Sequence, residues 1–225
     1  MKKQLIIFIL INLLAITLIK AQSLLINAKG GLATVTSLDC EMGALMTVSL
    51  ENKFNKYLSF GINAKFGGAN YVTDDWIKDN EGQIIEDNEL DVANFVYSVN
   101  LFPKFSFITT DELIISLVPE IGYYWTESDP TIYFTDEVSH EVTFEGYNNR
   151  YSGRSVGYSL NLEGQYFLGD RTNLILCIGW NNHDFGKSLN KIKLEDWGEK
   201  IDEEINFFYV EVGIAFMLLG KDIWY

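Results

Sequence analysis

The sequence contains few cysteines, histidines and prolines. Of its 225 residues, 2 are Cys, 2 are His and 3 are Pro. Cys40 and Cys177 are too few for a disulfide framework, and with two histidines they give no zinc site of recognisable spacing. Both classes of protein are therefore excluded, and we expect neither a metal nor another cofactor.

Positive charge is also scarce. Lys and Arg number 17 against 31 Asp and Glu, which gives a net charge of −14. A nucleic-acid binder needs a basic surface, so we expect no nucleic-acid partner. The chain is 48% apolar and 14% aromatic, which is too apolar for a disordered protein and sufficient for one domain with a sizeable core.

Long apolar runs are confined to the start of the chain. Lys2 and Lys3 precede an apolar stretch, 5–19, which is interrupted only by Asn12 and Thr17. At about 1.5 Å per residue this stretch falls short of a hydrocarbon core about 30 Å thick. The pattern predicts a cleaved secretory signal peptide over 1–21 and a single mature domain over 22–225.

The rest of the sequence repeats with a period of two. In 57–66, Leu58, Phe60 and Ile62 belong to one face, whereas Tyr57 and Lys65 belong to the other. Such alternation is typical of a β-strand with one apolar face. It recurs in seven further segments, near 24–34, 44–51, 94–101, 115–123, 156–163, 174–181 and 208–216. The sequence therefore predicts eight strands of about 10 to 13 residues.

The connections between these strands alternate in length. Short or modest ones are predicted at 52–55, 103–111 and 169–172, and long ones at 71–92, 126–150 and 182–204. Strands of about 9 to 11 residues cross a membrane when tilted, and such barrels have short turns on one side and long loops on the other. We therefore predict an all-β, antiparallel, up-and-down transmembrane barrel, with short periplasmic turns and long outer loops. Aromatic residues cluster near both predicted strand ends, as expected at membrane interfaces.

This combination resembles the small eight-stranded outer-membrane β-barrels, the class of OmpX and the transmembrane part of OmpA. The resemblance covers roughly 24–218 and consists of pattern, not of a motif. It implies the outer membrane as the location, with outer-membrane lipid and the barrel-insertion machinery as partners. Members often end on an aromatic residue that closes the last strand. Here the chain continues from Phe216 to Tyr225, which predicts either a longer last strand or a short tail.

The predicted inner face carries charges that must be paired or hydrated. It includes six candidate residues: Lys29, Glu51, Lys65, Glu120, Glu163 and Glu211. Four carboxylates against two lysines imply that some acids bond to neutral groups, bind a cation or take up a proton. Because eight strands leave room only for side chains, we predict a polar plug. A narrow porin-like channel and a catalytic carboxylate pair are the alternatives.

Other chemical motifs are weak. The His-x-Ser-Asn signature of lipid-modifying barrels has no serine in the matching place of 183–186, although Ser188 is nearby, and no Gly-x-Ser-x-Gly occurs. We therefore expect no enzyme. The acidic stretch 71–92 fails the EF-hand pattern because Ile77 and Asn88 occupy positions that need carboxylates. It is interpreted as a solvated loop, with loose binding of divalent cations as the alternative.

Two functional hypotheses follow. The first is a non-enzymatic outer-membrane barrel that acts in envelope integrity, adhesion or another surface interaction, with an extracellular partner bound through its loops. The second is a soluble periplasmic barrel of lipocalin type that binds a small apolar ligand. Alternation alone does not separate them, because the two differ only in which face points inward.

Overall fold

The computed structural model describes residues 23–35, 42–74, 87–135, 142–146, 150–183, 188 and 205–220. Among these residues, no helix is long and apolar enough to cross a membrane. The strands are β1 (Ser23–Val35), β2 (Gly43–Lys53), β3 (Leu58–Asp74), β4 (Asp87–Thr109), β5 (Leu113–Thr135), β6 (Val142–Gly146), β7 (Tyr151–Gly169), β8 (Thr172–His183) and β9 (Ile205–Gly220). The predicted signal peptide, Cys40 and most of the acidic stretch 71–92 lie outside the described residues.

Eight of these strands close into an antiparallel barrel. Each long strand pairs with its neighbour along the chain, β4 pairs with β5, and β1 closes the ring by pairing with β9. Among the described residues, the short β6 pairs only with the end of β5, where Thr131 lies opposite Gly146 and Thr135 opposite Val142. The predicted eight-stranded antiparallel barrel is thus confirmed, with β6 as an added hairpin arm on the side of the long connections.

Several strands are longer than predicted. β4 and β5 each have 23 residues, whereas about 9 to 11 suffice to cross a bilayer. The pairing of β3 with β4 continues to Asp74 opposite Glu89, beyond the point where apolar alternation ends. On the side of the long connections, β3, β4, β5 and β6 therefore form a wall that extends past the other strands as far as the structure describes them.

The connection predicted at 103–111 is wrong, because β4 continues through Pro103. This residue lies opposite Phe60 of β3, and the chain turns only at 110–112. On its other side, the pairing of β4 with β5 lapses between Leu101 and Phe105, next to Pro119 of β5. Proline has no N–H to donate, so two prolines on adjacent strands account for the local gap without ending either strand.

The last strand also extends further than predicted. β9 runs through Phe216 to Gly220, which pairs with Ser23 at the start of β1. Gly220 has a φ of 126°, a conformation that side chains beyond glycine rarely adopt. The longer-strand alternative is therefore correct, and the closing ladder reaches the turn side of the barrel.

The two faces of the sheet separate apolar from polar side chains. Leu160 and Val212 point outward and are 46% and 53% exposed, whereas Ser159 and Glu211 point inward and are 2% and 0% exposed. A lipocalin-type barrel has the opposite arrangement, so that hypothesis is wrong. Tyr57, expected on the inner face, lies in the turn 54–57 and is 53% exposed.

An arginine on the outer face should destabilise the barrel according to its depth. Leu160→Arg in the middle of β7 should lower the free energy of unfolding in lipid vesicles by about 2 to 4 kcal/mol, because it places a charge near the bilayer midplane. Ser152→Arg, on the same face but at the outer end of β7, should cost about 0 to 1 kcal/mol. Denaturant titration in vesicles measures both, and equal losses would show that the outer face is not embedded in lipid.

Candidate functional site

The six candidate residues lie in the barrel interior. They come from six strands: Lys29 (β1), Glu51 (β2), Lys65 (β3), Glu120 (β5), Glu163 (β7) and Glu211 (β9). All six are buried, with at most 9% of any of them exposed. Closure of the sheet brings these side chains together from opposite walls, although the sequence separates them widely.

The first ion-pair cluster is centred on Glu163. Lys104 Nζ lies 2.5 Å from Glu163 Oε1 and 3.0 Å from Glu51 Oε2, so one lysine joins carboxylates of two strands. Gln165 Nε2 donates to Glu163 Oε1 at 2.9 Å, and Ser59 Oγ donates to Glu51 Oε1 at 2.7 Å. Both carboxylates are thus neutralised and hydrogen-bonded, which is what burial of an ion pair requires.

Lys29 continues this cluster toward β9. Its Nζ lies 3.2 Å from Glu163 Oε2 and 3.8 Å from Glu211 Oε2. Thr47 Oγ1 donates to the other oxygen of Glu211 at 2.5 Å. The order Glu51, Lys104, Glu163, Lys29, Glu211 forms an alternating line of charge across the interior.

A second cluster surrounds Lys65. Its Nζ lies 2.6 Å from Glu120 Oε2 and donates to Tyr209 Oη at 2.7 Å. Tyr209 in turn donates to Asn161 Oδ1, and Asn161 Nδ2 donates to Glu120 Oε1 at 2.8 Å. Ser159 Oγ donates to the remaining carboxylate oxygen at 2.7 Å. Every oxygen of Glu120 therefore accepts a hydrogen bond.

Sequence reasoning missed two buried lysines. Lys104 lies in the predicted connection 103–111, and Lys53 lies past the end of the predicted alternation in β2. Both are buried, at 2% and 4% exposed. Among the described residues, the buried charged side chains are thus four glutamates and four lysines. The predicted excess of carboxylates is wrong, and the interior is formally neutral in a chain whose net charge is −14.

Inward glycines make room for the larger members of the network. A Cβ built on Gly179 would lie 2.3 Å from Tyr209 Cζ and 2.3 Å from Asn161 Oδ1. A Cβ on Gly122 would lie 1.8 Å from Asn100 Oδ1. These positions are glycine because a neighbouring strand places a bulky polar side chain directly over the backbone.

Little free space remains around the network. Near the ends of the strands that lead to the long connections, a cavity of about 30 Å³ is bounded by Lys65, Tyr124 and Tyr209, by Ser98 and Asn181, and by apolar side chains. This volume accommodates about two water molecules. Toward the short turns, Leu25 and Ile175 pack with Ala215 in a small apolar cluster. Among the described residues, side chains of the barrel thus occupy most of the space around the network.

The residues of the weaker motifs lie partly outside the described part of the chain. No group of three or more His, Cys, Asp or Glu side chains is placed there to hold a metal ion. Cys177 is a buried free thiol. Ser188 is also buried, and its neighbours on both sides in the chain lie outside the described residues.

Comparison with solved structures identifies the architecture. A major outer membrane protein from Thermus thermophilus superimposes with a TM-score of 0.50 at 12% identity, over 87% of this chain and 100% of that one. This chain has the fold of an outer-membrane β-barrel. Neisserial surface protein A (NspA) matches with a TM-score of 0.48 and 11% identity, over 86% of this chain and 96% of that one. The Yersinia pestis protein Ail, in complex with the heparin analogue sucrose octasulfate, gives 0.41 and 11%, over 87% and 97%.

No protein-family model and no curated protein matches the chain. The likeness to outer-membrane β-barrels is therefore one of fold, at sequence identities too low to carry over any binding partner. Within that fold, the resemblance to small eight-stranded barrels that the sequence pattern indicated is confirmed by the strand order and closure.

Removal of the central carboxylate should destabilise this outer-membrane β-barrel fold. Glu163→Gln keeps the shape of the side chain but leaves Lys104 and Lys29 short of a charge partner in a buried site, so the free energy of unfolding should fall by about 3 kcal/mol. Glu112→Gln, in the exposed turn 110–112, is the matched control and should change it by less than about 0.5 kcal/mol. Equal stability of the two variants would mean that the interior is fully hydrated.

Gly179→Ala tests the space beneath Tyr209. The added methyl group would overlap the tyrosine ring and displace the hydroxyl that joins Lys65 to Asn161, at a cost of about 1 to 3 kcal/mol. Gly164→Ala is the matched control, since a Cβ there meets nothing closer than 3.9 Å. Thermal unfolding of both variants measures the difference, and an equal response would contradict the assigned role of Gly179.

Proposed function

We propose that the protein is a non-enzymatic outer-membrane barrel with a plugged interior, which acts through its outer surface in envelope integrity, adhesion or a related surface interaction. The observation that carries this proposal is the combination of an apolar outer face with an interior crossed by ion pairs. Lys104 and Lys29 each join carboxylates on two other strands. Such a molecule is suited to residence in lipid and is unsuited to free passage of solutes.

The aromatic residues of the outer face support location in a membrane. On β7, Tyr158 and Tyr166 both point outward, and on β4 Tyr97 and Phe105 do the same. The members of each pair are eight positions apart. With a rise of about 3.4 Å per residue and a tilt near 40°, the two aromatic levels are separated by about 20 Å. This is close to the apolar band of outer-membrane barrels, about 25 Å tall.

The pairing of the buried acids supports a structural role over acid–base chemistry. Each of the four glutamates has a lysine nitrogen within 4 Å: Lys104 for Glu51 and Glu163, Lys65 for Glu120, and Lys29 for Glu211. Opening a continuous path would separate several of these pairs at once. Because an unpaired charge in a narrow interior is costly, the closed form is favoured over a narrow channel.

The projecting wall supports a role on the outer side. β4 and β5 carry their pairing to Asp87 and Thr135, well beyond the length that a bilayer requires. Both ends of the described chain, Ser23 and Gly220, lie together at the opposite side. The surface available for contact with other molecules is therefore concentrated on the side of the long connections, the side we assign to the cell exterior.

Two measurements test the proposal. After expression in a Gram-negative cell, the protein should remain with outer-membrane fragments through a carbonate wash, and its electrophoretic mobility should change on boiling, as for a closed barrel that survives detergent. In planar bilayers it should give silence or rare small openings, with a general porin as the positive control. Recovery from the soluble periplasm would refute membrane residence, and a steady large conductance would refute the plug.

A further inference from the structure

One outward-facing row of residues breaks the apolar pattern of the barrel. Across β2, β3, β4 and β5, hydrogen-bonded register brings Met46, Phe66, Tyr97 and Trp125 side by side. The next member of the row, on β7, is Arg154, which lies directly opposite Trp125. It is exposed, and its chain neighbours Gly153 and Ser155 are buried, so its side chain points to the lipid side of the wall.

Arg154 has no acidic partner among the described residues, in contrast to the nearby Arg150. The guanidinium of Arg150 lies 3.5 Å from Asp129 and 4.0 Å from Glu127. In a chain with a net charge of −14, a cation without such a partner at the level of Trp125 is conspicuous. Its position suits an anion that comes from outside the chain.

The aromatic residues near Arg154 define its level in the membrane. Tyr123 and Trp125 of β5 are in contact with ring centroids 4.7 Å apart, and Tyr158 of β7 meets Trp180 of β8 at 5.6 Å. Trp and Tyr prefer the boundary between hydrocarbon and headgroups. Arg154 lies four residues beyond Tyr158 toward the outer end of β7, so its guanidinium reaches the layer where headgroup phosphates lie.

We propose that Arg154 binds the phosphate of an outer-leaflet lipid and so anchors the barrel at its outer rim. The inference rests on the proposed membrane location. A guanidinium forms paired, charge-assisted hydrogen bonds with phosphate oxygens. Trp125 supplies an apolar surface beside it for the glycerol or acyl part of the same lipid. The chemistry recognised is a phosphate group, and the lipid is its source.

Native mass spectrometry of the folded barrel in detergent tests this assignment. The probes are phosphatidic acid and a diacylglycerol with the same acyl chains, so that they differ only in the phosphate. The wild type should retain phosphatidic acid in preference to diacylglycerol. Arg154→Gln should weaken retention of phosphatidic acid by about tenfold, the loss expected for one charge-assisted pair, and should leave retention of diacylglycerol unchanged.

Arg150→Gln is the matched control, because Arg150 lies next to the same strand and is already paired with acids. It should behave as the wild type. Arg154→Lys keeps the charge but loses the paired hydrogen bonds, so its retention of phosphatidic acid should lie between those of the wild type and of Arg154→Gln. Equal retention by Arg154→Gln and Arg150→Gln would overturn the assignment. Displacement of the lipid by an equal concentration of inorganic phosphate would also overturn it, in favour of a free anion.

Folding of each variant is checked by its change of mobility on boiling. If Arg154→Gln does not fold, Arg154→Lys decides the question: weaker retention of phosphatidic acid than by the wild type supports the inference, and equal retention refutes it. Failure of the proposed function has a different signature. In that case neither lipid is retained by any variant, because the outer face then does not contact lipid.

Discussion

Closure of the sheet is the constraint on which the rest of the structure depends. In lipid every backbone N–H and C=O must find a partner within the protein, and a closed ladder is the way in which strands achieve this. The pairing of β1 with β9 completes the ladder and removes the last free edges of the barrel. Because side chains alternate along each strand, closure also commits half of them to the interior.

The width of the interior then determines how charged side chains can be buried there. Eight strands enclose a space only wide enough for side chains, so a charge that enters it must meet an opposite charge. Apart from Lys29 and Glu211, which lie on the paired strands β1 and β9, the interior ion pairs join strands that are not adjacent in the sheet. Lys104 of β4 reaches Glu51 of β2 and Glu163 of β7, neither of which is its hydrogen-bonded neighbour in the sheet. The ion pairs therefore connect walls that the backbone ladder leaves apart.

Sequence alternation predicted the barrel and the face on which Lys29, Lys65 and the four glutamates lie, because the two-residue period is a local property of each strand. It did not predict which charges meet. That depends on the stagger of the strands around the barrel, to which residues of every strand contribute.

Lys104 was missed because Pro103 is a local signal for a strand end, and the structure overrides it by pairing that residue on one side only. The lengths of β3 and β4 were underestimated for a related reason. Apolar alternation marks only the part of a strand that contacts lipid. The ladder between β3 and β4 continues to Asp74 and Glu89 because backbone hydrogen bonds need no apolar face.

The long reach of the interior ion pairs also shapes how the chain folds. Lys29 and Glu163 are 134 residues apart in sequence, and Thr47 and Glu211 are 164 apart. Such contacts form only after most of the strands have assembled into the barrel, and the associated loss of chain entropy slows folding. Until then the lysines and glutamates keep their water. Closure, dehydration of the interior and pairing of the charges are thus coupled in one late step, which gives the barrel a cooperative and slow folding transition.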